Sequence, residues 1–247
     1  MLAELGLTKM PFDKNLKPDE LFDSYDSKES KARFEHIKRY RGILLMTGEP
    51  GSGKTTALRR FANGLNPQSY EHCYTPHATV SRTELYRQLN TLFKLPIRMS
   101  KTVLFNQIQK NIWDLYKGQG KIPCIILDEC HLMDDHTLQE LVLITNFEMD
   151  SQMPLILILS GLPDLAEKLK RRRHEPLNQR ITLRYQMEGM RVEDTKAYIQ
   201  HNLKVAGRSD PLFDESGYQV IHNLAMGLPR KVGNLCQGAM TLAALKG

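Results

Sequence analysis

Short apolar runs bounded by turn residues recur along the first three quarters of the chain, separated by stretches with helical spacing. Gly42-Ile-Leu-Leu-Met-Thr47 reads as a short buried strand ending in a glycine-rich turn. A weaker strand, Glu71 to Ala78, follows the break at Asn66-Pro67. Pro123 to Asp128, Pro154 to Ser160 and Arg180 to Tyr185 complete the set. The runs ending at Asp128 and Ser160 are apolar on both faces, which fits central strands of a parallel sheet covered by helices.

Between the strands, Leu85, Tyr86, Leu89, Leu92 and Phe93 form one helical stripe, and Leu104, Ile108, Ile112 and Leu115 form another. Asp134-Asp135 is placed to cap a helix carrying Leu138, Leu141 and Thr145. Alternating strand and helix predicts an open α/β sheet with right-handed crossovers. After about Gly189 the strand signal stops. Helical patterns then cover Val192 to Val205, Asp214 to Leu224 and Leu228 to Leu245. The expected organisation is an α/β core over 1–189 and a small all-helical appendage over 190–247.

Composition narrows this further. At 247 residues, 41% hydrophobic and 25% charged, the chain is of ordinary globular make-up, which excludes collagen-like, disordered and coiled-coil classes. No apolar run approaches the roughly 20 residues of a membrane span. The start, MLAELGLTKMPFDKN, lacks a basic-then-apolar order, so a secretory signal is not expected and the cytoplasm is the default compartment. Cys73, Cys124, Cys130 and Cys236 are scattered without C-x-x-C spacing and read as buried thiols rather than zinc ligands or disulfides. Net charge is +6. Leu165 to Arg184 concentrates it: Lys168, Lys170, Arg171, Arg172, Arg173, Arg180 and Arg184 stand against Glu167 and Glu175.

Gly48, Glu49, Pro50, Gly51, Ser52, Gly53, Lys54 and Thr55, followed by Thr56, form a full G-x-x-x-x-G-K-T between a strand and a helix. Such glycines let the backbone curl so that successive N–H groups face phosphate oxygens. Lys54 is expected at the β and γ phosphates of a nucleotide, and Thr55 at Mg²⁺. The second half of such a site is an acid at the end of a neighbouring strand, supplied by Asp128 and Glu129. Asp128 is expected to hold Mg²⁺ and Glu129 to orient and deprotonate an attacking water, an arrangement suited to hydrolysis.

These two motifs, a polar residue ending the next strand, and the late Gly227-Leu-Pro-Arg-Lys-Val-Gly-Asn-Leu235 together resemble the AAA+ ATPases. Leu7-Thr-Lys-Met-Pro-Phe12, Thr145-Asn-Phe-Glu-Met-Asp-Ser151 and Leu177-Asn-Gln-Arg-Ile181 resemble the branch holding the transposition helper ATPases (TniB/TnsC type) and the secretion ATPase ExeA. The resemblance runs from about Leu5 to Ala244. It implies a P-loop AAA+ core with a parallel five-stranded sheet flanked by helices, plus a small C-terminal helical lid, with ATP and Mg²⁺ bound. It implies that Ser160 is the sensor 1 residue and that Arg230 is the sensor 2 arginine of the lid, binding phosphate bidentately. Arg180 is the candidate arginine finger reaching the next subunit's site, with Arg171, Arg172 and Arg173 as alternatives.

The basic segment is open to three readings: a solvated face, an intersubunit contact, or a track for DNA phosphates. Ser81, Arg82, Thr83, Arg87 and Lys101 are further candidates for DNA contact. The tyrosines, Trp113 and Met149 read as core, His131 as a neighbour of the acidic pair, and Phe12 as part of an adenine pocket. Functionally, the resemblance implies an ATP-hydrolysing regulator of DNA transposition. It would oligomerise on duplex DNA as a ring or helical filament when ATP is bound, recruit or activate a transposase, and need no membrane. The alternatives are an ExeA-like secretion accessory ATPase, whose kind carries a transmembrane segment and a further domain not seen in this sequence, and an ATP-dependent adaptor or scaffold without DNA binding.

Overall fold

A computed structural model describes residues 2, 5–13, 16–17, 19–76 and 79–246. Its contacts divide the chain into two compact units. One comprises residues 1–31, 49–53 and 187–247; the other comprises 32–48 and 54–186.

The larger unit is built on five strands: β1 (Gly42–Gly48), β2 (Tyr70–Thr75), β3 (Ile122–Leu127), β4 (Ile156–Gly161) and β5 (Ile181–Met187). They form one parallel sheet in the order β2-β3-β4-β1-β5. The register aligns the strand exits: Thr47 lies opposite Gly161, Leu127 opposite Leu159, and Thr75 opposite Leu127. The carboxyl ends of the inner strands therefore open on one edge, where ligands of such sheets bind.

β1 and β4 are buried at every position, as expected of inner strands with no solvent face. On one face Ile43, Leu45, Ile125, Leu127, Leu157 and Leu159 join a core with helices α3 (Arg82–Leu92), α4 (Lys101–Trp113), α5 (Asp135–Ile144), α6 (Pro163–Leu169) and α7 (Glu175–Arg180). The alternate residues Leu44, Met46, Ile126 and Ile158 are equally buried on the other face. There α2 (Lys54–Asn63) follows β1, and its Phe61 stacks on Phe34 of α1 (Tyr25–Tyr40) at 4.5 Å.

Local chemistry sets the helix starts. Ser81 accepts from the Glu84 N–H at 3.4 Å to begin α3, and Asp134 accepts from the Thr137 N–H at 2.6 Å to begin α5. A five-residue π-helical turn, Asp114–Gly118, prolongs α4 and keeps Leu115 in the core.

The smaller unit contains α8 (Val192–Val205), α9 (Glu215–Ala225) and α10 (Pro229–Lys246). They close around Ile199, Leu203, Ile221, Val232 and Cys236. Asp214 caps α9 through the Gly217 N–H at 2.6 Å.

Several details differ from the sequence pattern. β2 ends at Thr75, short of the expected strand whose last residue, Ala78, lies outside the described residues. β4 begins at Ile156, because Pro154 has no N–H to give a ladder. Arg180 closes α7 rather than opening β5, and Leu92 faces solvent at the end of its stripe. Met149 is almost fully exposed on a loop instead of buried in a helix, since residues 148–150 all take left-handed backbone angles that no helix accepts. Tyr25 and Tyr40 are exposed too. All four cysteines are free and buried, as the pattern implied.

Candidate functional site

The phosphate loop leaves β1 at Gly48 and enters α2 at Lys54. Its central residues cluster with the smaller unit, and there Gly51 and Gly53 have φ of +85° and +106°, backbone that L side chains rarely adopt. The Ser52 N–H donates to Glu49 O at 3.1 Å, tightening the turn. In the same unit the Arg230 N–H donates to Gly51 O at 3.3 Å, and a Cβ built on Gly51 would stand only 2.7 Å from Arg230 Cβ. Glu49, Pro50 and Arg230 are exposed, whereas Ser52 is buried.

In the larger unit the chemistry gathers at the strand exits. Lys54 is buried, and its ammonium donates to Gly48 O at 2.7 Å. Thr55 Oγ1 donates to Asp128 Oδ2 at 2.9 Å, joining the first turn of α2 to the residue after β3. Thr56, next on α2, is exposed. Asp128 is fixed on three further sides. Its N–H donates to Thr75 O at 3.0 Å, its Oδ1 accepts the Glu129 N–H at 3.0 Å, and its Oδ2 also accepts from the Tyr74 hydroxyl at 3.3 Å.

Glu129 sits at φ 54° and ψ 32°, a left-handed conformation in which its side chain is 43% exposed. Non-glycine residues take this region at a cost, and such strain concentrates at functional sites. His131 Nδ1 lies 3.5 Å from Glu129 Oε2 and accepts from the Leu162 N–H at 3.4 Å, so His131 stands between the acid and the segment after β4. Ser160, next to last on β4, is wholly buried, and its Oγ finds no partner among the described residues.

Arg180 lies apart from that cluster in its contacts. Its Nη2 makes a 2.8 Å ion pair with Asp150 Oδ2, while its Nε is buried without a partner among the described residues. Arg171, Arg172 and Arg173 are all exposed; Arg173 is paired with Asp135 at 2.6 Å. Arg82 and Lys101 converge on the buried Glu140, at 3.8 and 2.5 Å, and Arg87 pairs with Glu84. Phe12, in the smaller unit, packs on Tyr198 at 5.8 Å and against Gly233.

The sequence pattern missed Tyr74 and Thr75. Tyr74 reads as one more core aromatic, yet its hydroxyl is on Asp128; burial, and then the Asp128 charge, push its phenol up to about 12, so it stays protonated and donates. The available signal was the position of the pair, the last two residues of a strand beside β3.

The donor set suits a magnesium nucleotide. Thr55 and Asp128 offer hard oxygens, which Mg²⁺ prefers. Among the described residues no group of three His, Cys, Asp or Glu side chains could hold a metal by itself, which fits an ion completed by phosphate and water. Within the smaller unit the glycine-shaped loop offers N–H groups of the kind that receive phosphate, and within the larger unit the buried Lys54 offers positive charge. The buried hydroxyls of Ser52 and Ser160 lack partners among the described residues, a cost of about 1–3 kcal/mol each that a neighbouring water or phosphate oxygen would relieve.

The family model described as the AAA domain matches residues 37–169, more than half of the chain. The chain belongs to the AAA domain family. This AAA protein is 30% identical over 245 residues to the General secretion pathway protein A of Aeromonas hydrophila; the match covers 98% of this chain and 44% of that protein, so the chain spans less than half of its relative. In three dimensions it is similar to the Aeropyrum pernix ORC2 protein, solved in ADPNP-ADP complexes, with a TM-score of 0.69 at 14% identity over 95% of this chain and 67% of that one. The Aeropyrum pernix ORC1 protein in complex with DNA gives a TM-score of 0.64 at 14% identity, over 92% and 62%. At such identities the likeness establishes the fold of this AAA protein. Among the described residues no helix is long and apolar enough to cross a membrane.

Proposed function

We propose that this AAA protein is an ATP-hydrolysing switch that assembles with itself on duplex DNA while ATP is bound and, in that state, recruits or activates a transposase. The observation that carries the enzymatic part is the join between Thr55 and Asp128, with Glu129 beside it. Lys54 and the loop 48–53 bind the β and γ phosphates of ATP. Glu129 orients a water and takes its proton as the water oxygen attacks the γ phosphorus, while the bond from that phosphorus to the bridging oxygen breaks and ADP leaves. Mg²⁺, held by Thr55 and Asp128, supplies charge neutralisation on the phosphates. Ser160 serves as sensor 1. Residues 190–247 act as a lid, in which Arg230, lying against the loop at Gly51, reads the phosphates cradled there. Arg180, or one of Arg171, Arg172 and Arg173, completes the site of a neighbouring copy.

DNA as the surface of assembly is supported by the basic excess of Leu165 to Arg184 and by exposed Arg171 and Arg172, which have no ion-pair partner among the described residues. A fold relative solved with DNA adds to it. Backbone contacts of this kind bring little base specificity and strong salt dependence. A second reading, an accessory ATPase of secretion, is favoured by one observation, the 30% identity to a general secretion pathway protein.

The test measures ATP turnover and duplex binding together, with ATP, ADP and a non-hydrolysable analogue, across a salt series and with Glu129→Gln. DNA binding that needs ATP, weakens with salt and persists in Glu129→Gln upholds the transposition reading. Normal turnover with no DNA binding at any salt rejects it in favour of the secretion or adaptor reading.

A further inference from the structure

Two consecutive residues of the edge strand β2 grip Asp128 from one side. Thr75 O accepts the Asp128 N–H at 3.0 Å, and the Tyr74 hydroxyl donates to Asp128 Oδ2 at 3.3 Å, the same oxygen that accepts from Thr55. The backbone contact continues the parallel ladder of β2 and β3, whereas the hydroxyl contact is available to tyrosine alone among large aromatic side chains of this shape. Thr75 Oγ1 in turn donates to Gln88 Oε1 at 3.2 Å, so the end of β2 is tied to α3. α3 starts with Arg82 and carries Arg87 immediately before Gln88. A carboxylate with a single donor can rotate about its Cβ–Cγ bond; one whose Oδ1 and Oδ2 both carry donors from fixed backbone and a strand side chain cannot do so freely.

We infer that Tyr74 is a positioning residue that holds Asp128 in the orientation needed for a magnesium nucleotide, and that Thr75 and Gln88 tie this grip to α3. The inference rests on the reading of Thr55 and Asp128 as the Mg²⁺-binding pair. Tyr74 touches neither phosphate nor water in this role; it acts through Asp128.

The test is equilibrium binding of a fluorescent ADP analogue to the full chain, in Mg²⁺ and in EDTA, for the wild type, Tyr74→Phe, Asp128→Asn and the double variant. Phenylalanine keeps the ring and its packing while deleting the hydroxyl. Losing one hydrogen bond to a charged group predicts an affinity about tenfold or more weaker in Mg²⁺. Affinity in EDTA stays unchanged, and in the Asp128→Asn background the second substitution has no further effect. Equal weakening in Mg²⁺ and EDTA, no weakening at all, or an effect that survives in Asp128→Asn overturns the assignment of Tyr74. A wild type whose nucleotide affinity ignores Mg²⁺ overturns the underlying reading of Thr55 and Asp128 instead, so the two failures are distinguishable.

Discussion

The backbone N–H of Arg230 meets Gly51 O at 3.3 Å, and the approach is so close that Gly51 has no room for a side chain on that side. Two independent costs follow for Gly51→Ala. The methyl would need the Arg230 Cβ to retreat from 2.7 Å, and the φ of +85° is strained for any L residue by roughly 1–2 kcal/mol. The expected outcome is a lower melting temperature and, as the unliganded loop relaxes out of its strained conformation, a nucleotide affinity about 5- to 30-fold weaker, the equivalent of one to two kcal/mol. Isothermal titration and thermal melts check both. An unchanged affinity beside a lower melting temperature would show that the loop holds the same strained conformation with and without nucleotide.

Lys54→Ala removes the buried ammonium that donates to Gly48 O. A charged hydrogen bond to phosphate contributes about 1.5–3 kcal/mol, so nucleotide affinity should fall roughly 10- to 100-fold. Glu129→Gln should leave that affinity in place while slowing turnover by on the order of 10²-fold or more, since only proton transfer is lost. The contrast is read by binding and steady-state kinetics on the same preparations. Equal loss of binding in both variants would argue against separate roles.

Much of this architecture was legible because period and punctuation agree along the chain. The doubly buried runs around Leu44 and Leu157 have no helical period, and the caps at Asp134 and Asp214 use local chemistry that a sequence displays directly. α1 was not legible: its mixed sequence, YDSKESKARFEHIKRY, buries Phe34 and Ile37 without a strong stripe. α7 escaped because six residues carry too little period. Within the site, Lys54, Thr55 and Asp128 follow from their motif spacing. The Tyr74 contact does not, because it depends on which strand lies beside β3, and strand order is a long-range property that no local window contains.

Asp135 gives a prediction for acid stability. A hydrogen bond from buried His174 at 2.8 Å, and then the Arg173 guanidinium, hold its carboxyl below the usual carboxylate range. A carboxylate depressed in the folded state contributes stability that is fully present above its unfolded value, about 3.9, and that is lost as pH falls through the lower folded value. Asp135→Asn keeps an acceptor for His174 but cannot titrate. Its urea midpoint should therefore fall less steeply than the wild type's below about pH 4, while being lower near neutrality. Denaturation curves at several pH values decide it. Parallel curves would mean that Asp135 has the same proton affinity in both states.

Arg180 is held in its own chain by Asp150, the last of three consecutive left-handed residues, with φ of 48°, 52° and 69° at Glu148, Met149 and Asp150. The antiparallel bridge between Phe147 and Gln152 closes this loop and carries Met149 at its exposed tip. An arginine serving a neighbouring site has a signature that a merely structural ion pair lacks. Arg180→Ala should leave nucleotide affinity unchanged and reduce turnover by on the order of 10³-fold, the scale of a finger supplied in trans. Mixing it with Lys54→Ala chains, whose own sites are disabled but whose Arg180 is intact, should restore part of the activity. Turnover of the wild type should also rise more than linearly with protein concentration, because the site is complete only between copies. If Arg180→Ala turns over normally, the finger role passes to Arg171, Arg172 or Arg173. If mixing restores nothing although turnover is lost, the arginine acts within its own chain, through the loop that Asp150 anchors.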